Sequence, residues 1–347
     1  MKLLNHRTEN LYEEHYLKRG PHIAVIGGGT GLSVLLRGLK EYTSNITAIV
    51  CVTDDGGSSG NLRGQLGILP PGDLRNCLVA LADTEPIMER IFNYRFKEGD
   101  GLAGHSLGNL LIAAMADLSG SFETGINEIS KVLAIRGRVL PSTLENITLA
   151  AELQDGSIIK GESNISKSTK PIKRVYSVPA SCTPLPQVLE AILDADAIIL
   201  GPGSLYTSVI PNLLVPGIIE AIQKAEGLKI YVCNVMTQPG ETTGYKASDH
   251  LRAIYYHSKP ALVEAVIVNN GHIPSCYKEK YARERAEAVE TDSEALRNMD
   301  VRVIAAPLIS ENGYIRHNPE VLADTIIKEI VNNKGANLAQ TGKRRYL

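Results

Sequence analysis

The sequence has no tryptophan and only three phenylalanines. Stacking platforms for single-stranded nucleic acid, which need exposed rings, are therefore not expected. Net charge is −2, so no overall positive field draws the chain to phosphates of DNA or RNA. The five cysteines Cys51, Cys77, Cys182, Cys233 and Cys276 contain no C-x-x-C pair, which excludes a zinc ribbon and a thioredoxin-like motif. An unpatterned, odd set suits a reducing compartment, the cytoplasm. No apolar run reaches membrane-spanning length, and the N-terminal twenty residues are too polar for a signal peptide. H-E-x-x-H and the P-loop Gly-Lys-Ser/Thr are missing, and the eight histidines show no ligand spacing. Nothing here reads as an activated nucleophile.

What is present is a repeated grammar of apolar strand, polar loop and helix. With 347 residues the chain can build one large α/β domain. Strand candidates are His22–Ile26, Ile46–Thr53, Ile172–Val178, Ala197–Leu200, Lys229–Asn234, Ala265–Val268 and Val301–Ile304. Most are continuous apolar runs, as in parallel strands buried on both faces. Helical stretches alternate with them, for example Leu185 to Leu193 and Pro216 to Ala225. The expected fold is α/β: a Rossmann-like, doubly wound and mostly parallel sheet. Two segments interrupt it, a helical insertion over about 73–133 and a β-hairpin over about 147–163 turning at Asp155-Gly156. Residues 1–20 read as a polar extension, 21–330 as the single domain, and 331–347 as a flexible basic tail.

The loops after the strands carry the chemistry. In "AVIGGGTGLSVLLRGLK", Gly28, Gly29, Thr30 and Gly31 stand between a strand and a helix with the apolar stripe Leu32, Leu35, Leu36 and Leu39. Unpaired amides and the positive dipole at a helix start favour an anion, and glycines let a phosphate approach the backbone. The third glycine of G-x-G-x-x-G is replaced by Leu32, so the dinucleotide fingerprint fits poorly.

"TDDGGSSG" places Asp54 and Asp55 after the second strand, followed by Gly57 and Ser58. An acid at that edge takes ribose hydroxyls, or adjacent carboxylates hold Mg²⁺ against a diphosphate. In "PPGDLRN", Asp73 is a natural N-cap, while Arg75 and Asn76 in the first turn read as an anion clamp. In "GHSLGNLL", Ser106 is the cap, and His105 and Asn109 face whatever approaches the helix start. His105 is a proton carrier or a simple donor. "GPGSLYTSV" repeats the phosphate grammar with Gly201, Gly203 and Ser204. "CNVMTQPGETTGY" adds Asn234, Thr237 and Gln238, neutral groups suited to sugar or base edges.

Taken in order, these strings resemble the YvcK-type gluconeogenesis factor family over about His22 to Ile330. That family is similar to 2-phospho-L-lactate transferase (CofD), which moves a phospholactyl group from a guanosine diphosphate carrier to a deazaflavin. The resemblance implies a cytoplasmic bacterial protein that binds a UDP-sugar such as UDP-N-acetylglucosamine and acts in cell shape and in carbon metabolism during gluconeogenic growth. It also implies that late residues reach the nucleotide sugar, here Tyr281 and Arg316. "PPGDLRN" and "GHSLGNLL" look like the YvcK type and not the transferase, so the deazaflavin reaction is not carried over.

Three readings follow. The first is a non-catalytic nucleotide-sugar sensor with the diphosphate on the first glycine loop. The second is a transferase in which Asp54 and Asp55 hold Mg²⁺. An NAD-dependent oxidoreductase is third, on the fold pattern alone. The expected partners are the small-molecule nucleotide sugar, or another dinucleotide or diphosphate ligand, together with unidentified regulatory proteins. A homodimer is an option; nucleic acid and a membrane span are not expected.

Overall fold

The computed structural model describes residues 15–83, 86–311 and 314–341. Its centre is a seven-stranded parallel sheet in the order β10-β9-β8-β7-β1-β2-β3. These strands are β1 (Ile23–Gly27), β2 (Ile46–Val50), β3 (Arg138–Pro141), β7 (Ala197–Leu200), β8 (Leu228–Val232), β9 (Ala265–Asn269) and β10 (Arg302–Ala306). Successive side chains of a strand point to opposite faces. Along β1, Ala24 and Ile26 join one apolar cluster and Ile23 and Val25 join the other, so the sheet is covered on both sides. This is the Rossmann-like α/β arrangement that continuous apolar strands predict.

The chain leaves β1 toward β2 and β3 on one side and later returns to β7, next to β1 on the other. The sheet therefore switches direction between β1 and β7, where open α/β sheets bind ligands outside the carboxyl ends. Helix α1 (Gly29–Leu39) follows β1, and its stripe Leu32, Leu35, Leu36 and Leu39 is completely buried. Between β2 and β3 lie α2 (Gly57–Leu66), α3 (Gly72–Leu81), α4 (Pro86–Asn93), α5 (Leu107–Leu118) and α6 (Phe122–Val132).

A separate antiparallel sheet contains β4 (Thr148–Leu153), β5 (Ile158–Lys160) and β6 (Ile172–Val178), in the order β5-β4-β6. Ile172–Val178 thus does not join the parallel sheet. Its Ile172, Val175 and Ser177 are buried while Lys173, Arg174 and Val178 face out. β3, absent from the expected strands, is instead the edge of the parallel sheet. A second hairpin pairs β11 (Ile309–Glu311) with β12 (Ile315–His317).

Helix Pro319–Thr341 runs through most of the expected flexible tail, and Lys334 pairs with Asp196 at 2.8 Å. Residues 342–347 lie outside the described residues, as do 1–14 of the expected extension. Leu17 of that extension is buried, and its carbonyl accepts from Ser44 N. Among the described residues no single helix is long and apolar enough to cross a membrane.

Candidate functional site

Two glycine-rich loops meet at the switch between β1 and β7 and form the main walls of a cavity of about 230 Å³. On one side Gly29, at φ +65°, turns the chain from β1 into α1. On the other, Pro202, Gly203 and Ser204 follow β7. A Cβ on Gly31 would lie 2.8 Å from the Pro202 carbonyl oxygen and 3.0 Å from Gly203 Cα. The two loops can touch only because that side chain is missing.

The loop after β8 supports this cradle. Asn234 Nδ2 donates to Gly203 O at 2.8 Å, and Ser204 Oγ donates to Gln238 Oε1 at 2.7 Å. Beneath them Glu241, almost fully buried, accepts from Thr207 Oγ1, Tyr206 N and Gln238 Nε2. Burial raises the Glu241 pKa to about 7, against the pull of the Thr207 and Tyr206 donors.

The third wall is β12, which brings Ile315, Arg316 and His317 to the cavity. Arg316 is exposed and is the only fixed cation among the lining residues. His317 Nε2 lies 3.2 Å from the Cys233 carbonyl, an acceptor only, so that nitrogen carries a proton. Burial lowers the His317 pKa to about 4, so the ring is neutral. Val235, Met236 and Ile315 give the cavity an apolar side.

The sequence-derived residues divide between this cradle and another compartment. Gly28, Gly29, Thr30, Gly31, Gly203, Ser204, Asn234, Gln238 and Arg316 line the cradle. Asp54, Gly57, Ser58, Arg75, Asn76 and Asn109 line a different cavity, of about 280 Å³, at the starts of α2, α3 and α5. The two share no lining residue. Asp54 does not line the cradle.

Four other expectations change. Asp73 does not cap its own helix; its Oδ2 accepts from Gly29 N at 2.7 Å, across 44 residues of sequence. It thereby occupies the first amide of α1 and leaves the next amides of that turn to a ligand. Burial first, and then the nearby Asp54, raise the Asp73 pKa to about 6. Asp55 does not join Asp54 as a metal pair: its Oδ1 accepts from Ser163 N at 2.8 Å, on the β5 side. Ser106 makes no side-chain cap; its hydroxyl meets Arg75 and donates to Phe92 O at 3.3 Å. Tyr281 does not line the cradle. Its hydroxyl donates to Ile315 O at 3.3 Å and accepts from Ile315 N at 3.1 Å, clamping the strand that carries Arg316.

Thr237 and Gly201 also serve the framework. Thr237 Oγ1 accepts from Glu287 N at 2.9 Å, and Gly201 N donates to Ile26 O at 2.8 Å. His105 is buried behind Ser58. The Ser58 hydroxyl accepts from Ser106 N and from Asn109 Nδ2, so its own proton goes to His105 Nδ1. Sequence reasoning missed His317 and Glu241. The strand grammar in "GYIRHN" is too short to show the first, and the second lies inside the polar loop "QPGETTGY", where no local pattern sets it apart.

Comparison with known proteins agrees with this architecture. The family model for 2-phospho-L-lactate transferase CofD matches residues 23–309. The gluconeogenesis factor of Halalkalibacterium halodurans is 53% identical over 308 residues, covering 88% of this chain and 96% of that protein. The gluconeogenesis factor of Bacillus subtilis is 50% identical over 308 residues, covering 88% and 97%. A crystal structure of a Bacillus halodurans protein superposes with a TM-score of 0.87 at 52% identity, covering 90% of this chain and all of that one. The chain described here belongs to the gluconeogenesis factor family, whose α/β domain is of the CofD type.

Proposed function

We propose that this protein is a regulatory protein of the cytoplasm that binds a nucleotide sugar of the UDP-N-acetylglucosamine kind. It would act in carbon metabolism under gluconeogenic growth and in cell shape. The observation that carries the reading is the cradle between β1 and β7, with amides on one wall and Arg316 on another. A diphosphate there would accept from the first-turn amides of α1 and from the Arg316 guanidinium. The apolar side formed by Val235, Met236 and Ile315 would cover the flat base. The polar side chains of Asn234, Ser204 and Gln238 are already bonded to one another's loops. A ligand that moves one loop therefore moves its neighbour, which offers regulatory proteins, or a second copy of the chain, an occupancy-dependent surface.

Titration calorimetry and thermal shift with UDP-N-acetylglucosamine test the reading. A ligand at a hundred times its Kd stabilises by about 2.7 kcal/mol. No heat and no shift at millimolar ligand would defeat it.

One observation favours a second reading, a Mg²⁺-dependent transferase acting on a nucleotide-diphosphate-linked phospholactyl-type donor. Asp54 and Asp73 line one cavity, next to the glycine loop that Asp73 touches. Those two carboxylates, and not Asp54 with Asp55, would supply oxygens to Mg²⁺, which neutralises charge on a transferred group. Among the described residues no group of three or more His, Cys, Asp or Glu converges on one point. Release of nucleotide from candidate donors in the presence of Mg²⁺ and acceptor distinguishes this reading from the first.

A further inference from the structure

We infer that another cavity, of about 320 Å³ along the helix Ala247–His257, is a binding site for a small aromatic monocarboxylate. This goes beyond the nucleotide-sugar reading and does not depend on it. The cavity shares no lining residue with the cradle or with the compartment at Asp54.

One helix face supplies a wall. Asp249, Arg252, Ala253, Tyr256 and His257 line the cavity, and their i, i+3, i+4, i+7, i+8 spacing puts them on one side of the helix. A face turned to the core would be apolar at these positions. This one carries an acid, a guanidinium and two rings. Tyr206 and Tyr245 line the cavity as well, and their hydroxyls bond to each other at 2.8 Å. Whichever donates, the other keeps its proton for a further acceptor.

The rings are set edge to face. The His257 centroid lies 5.7 Å from Tyr206 at 81° and 5.2 Å from Tyr256 at 80°. His257 is no base here. Its Nε2 accepts from Val175 N at 2.9 Å and its Nδ1 donates to Ala253 O at 2.7 Å, which fixes a neutral ring. It serves as an aromatic wall. Tyr256 lines the cavity yet is 63% exposed, a large ring without cover. A flat aromatic group in the cavity would pack with these rings in the offset or edge-to-face manner they already use.

Charge selects the other end of the ligand. The charged lining residues are two cations, Lys173 and Arg252, and one acid, Asp249. Glu152 faces both Lys173 and Arg174, so it does not cancel Lys173 alone. A single negative charge suits this balance. Arg252 is held ready for it: Nη1 meets Asp249, and Nη2 donates to Ser248 Oγ at 2.8 Å. Asp292 fixes Ser248 in turn, accepting from its amide at 2.9 Å and from its hydroxyl at 2.5 Å. Two of the five guanidinium N–H donors are spent in this way, and the rest match a planar carboxylate.

Titration calorimetry on the full chain with 3-phenylpropanoate, 3-phenylpropan-1-ol and propanoate tests the assignment. The aromatic acid is expected to bind at least about tenfold tighter than the alcohol, which lacks the charge. Propanoate, which lacks the ring, is expected not to saturate at the same concentrations. N-acetylphenylalanine carries the same ring and carboxylate as the C-terminal residue of a peptide. The tighter of it and 3-phenylpropanoate names the source, a chain end or a free acid. Arg252→Gln is expected to weaken the acid about tenfold and to erase its advantage over the alcohol. Where Arg252→Gln fails to fold, Tyr256→Ala, at an exposed position, is expected to weaken acid and alcohol alike about fivefold with melting temperature unchanged. Arg316→Ala is expected to leave the affinity for the acid unchanged, and this separates the site from the nucleotide-sugar cradle. The inference is overturned if acid and alcohol bind alike, if no aromatic acid binds at millimolar concentration, if Tyr256→Ala leaves affinity intact, or if Arg316→Ala removes the binding.

Discussion

Glu241→Gln tests the cradle from beneath. Glu241 is 3% exposed and accepts from Thr207 Oγ1 at 2.9 Å, Tyr206 N at 3.0 Å and Gln238 Nε2 at 3.1 Å. It ties the loop after β7 to the loop after β8. Its pKa is raised from the usual 4.5 to about 7, chiefly by burial. A carboxyl with a folded pKa above its unfolded one takes up a proton on folding. Its contribution to stability is therefore complete below the unfolded pKa and is lost as pH rises toward about 7. At about 1.4 kcal/mol per pH unit, that loss is on the order of 3 kcal/mol. Glutamine cannot titrate, so the variant lacks this component. It also turns one accepting oxygen into a donor against three donors, a cost of about 1–3 kcal/mol that does not change with pH. Urea unfolding of both proteins at about pH 5 and about pH 8 reads the effect. Differences between the two proteins cancel Asp73, whose raised pKa acts in the same direction, and His317, whose lowered pKa acts oppositely. The wild type is expected to lose about 2–3 kcal/mol relative to the variant between those pH values. Parallel pH profiles would refute the buried, proton-linked carboxyl.

Tyr281→Phe removes both hydrogen bonds to Ile315 and loosens the strand behind Arg316; nucleotide-sugar Kd, measured by calorimetry, is expected to rise about fivefold, the worth of about 1 kcal/mol. Gly31→Ala sets a Cβ against the Pro202 carbonyl; chemical unfolding is expected to show a loss of about 1–3 kcal/mol and calorimetry a weaker ligand. Asp54→Asn separates the two functional readings. Nucleotide-sugar binding in the cradle is expected to survive it, whereas a transferase relying on Asp54 for Mg²⁺ would lose turnover.

The parallel strands and both glycine loops were legible because they obey local rules. A strand buried on both faces must be continuously apolar, and a loop that approaches another backbone must lose its Cβ. Ile172–Val178 has the composition of a parallel strand, but its Lys173 and Arg174 face out as a half-exposed strand requires. β3 escaped because it is four residues long and ends in proline, which an edge strand tolerates. Helix α2, "GSSGNLRGQL", has no apolar stripe to announce it. The site was harder, since its partners lie far apart in sequence. Asp73 looks like a local cap but bonds Gly29, and Tyr281 answers Ile315. Asp54 and Asp55 looked like a pair, yet neighbours on an extended chain point to opposite sides.

The central claim is that the β1–β7 cradle holds the diphosphate of a nucleotide sugar against Arg316. Titration of UDP-N-acetylglucosamine into the wild type and Arg316→Ala is its most direct test. The account predicts saturable heat in the wild type and a loss of about 10–100-fold in the variant, the worth of a charge-assisted hydrogen bond, with melting temperature unchanged. Equal affinity in the two proteins, or no heat in either, would contradict it.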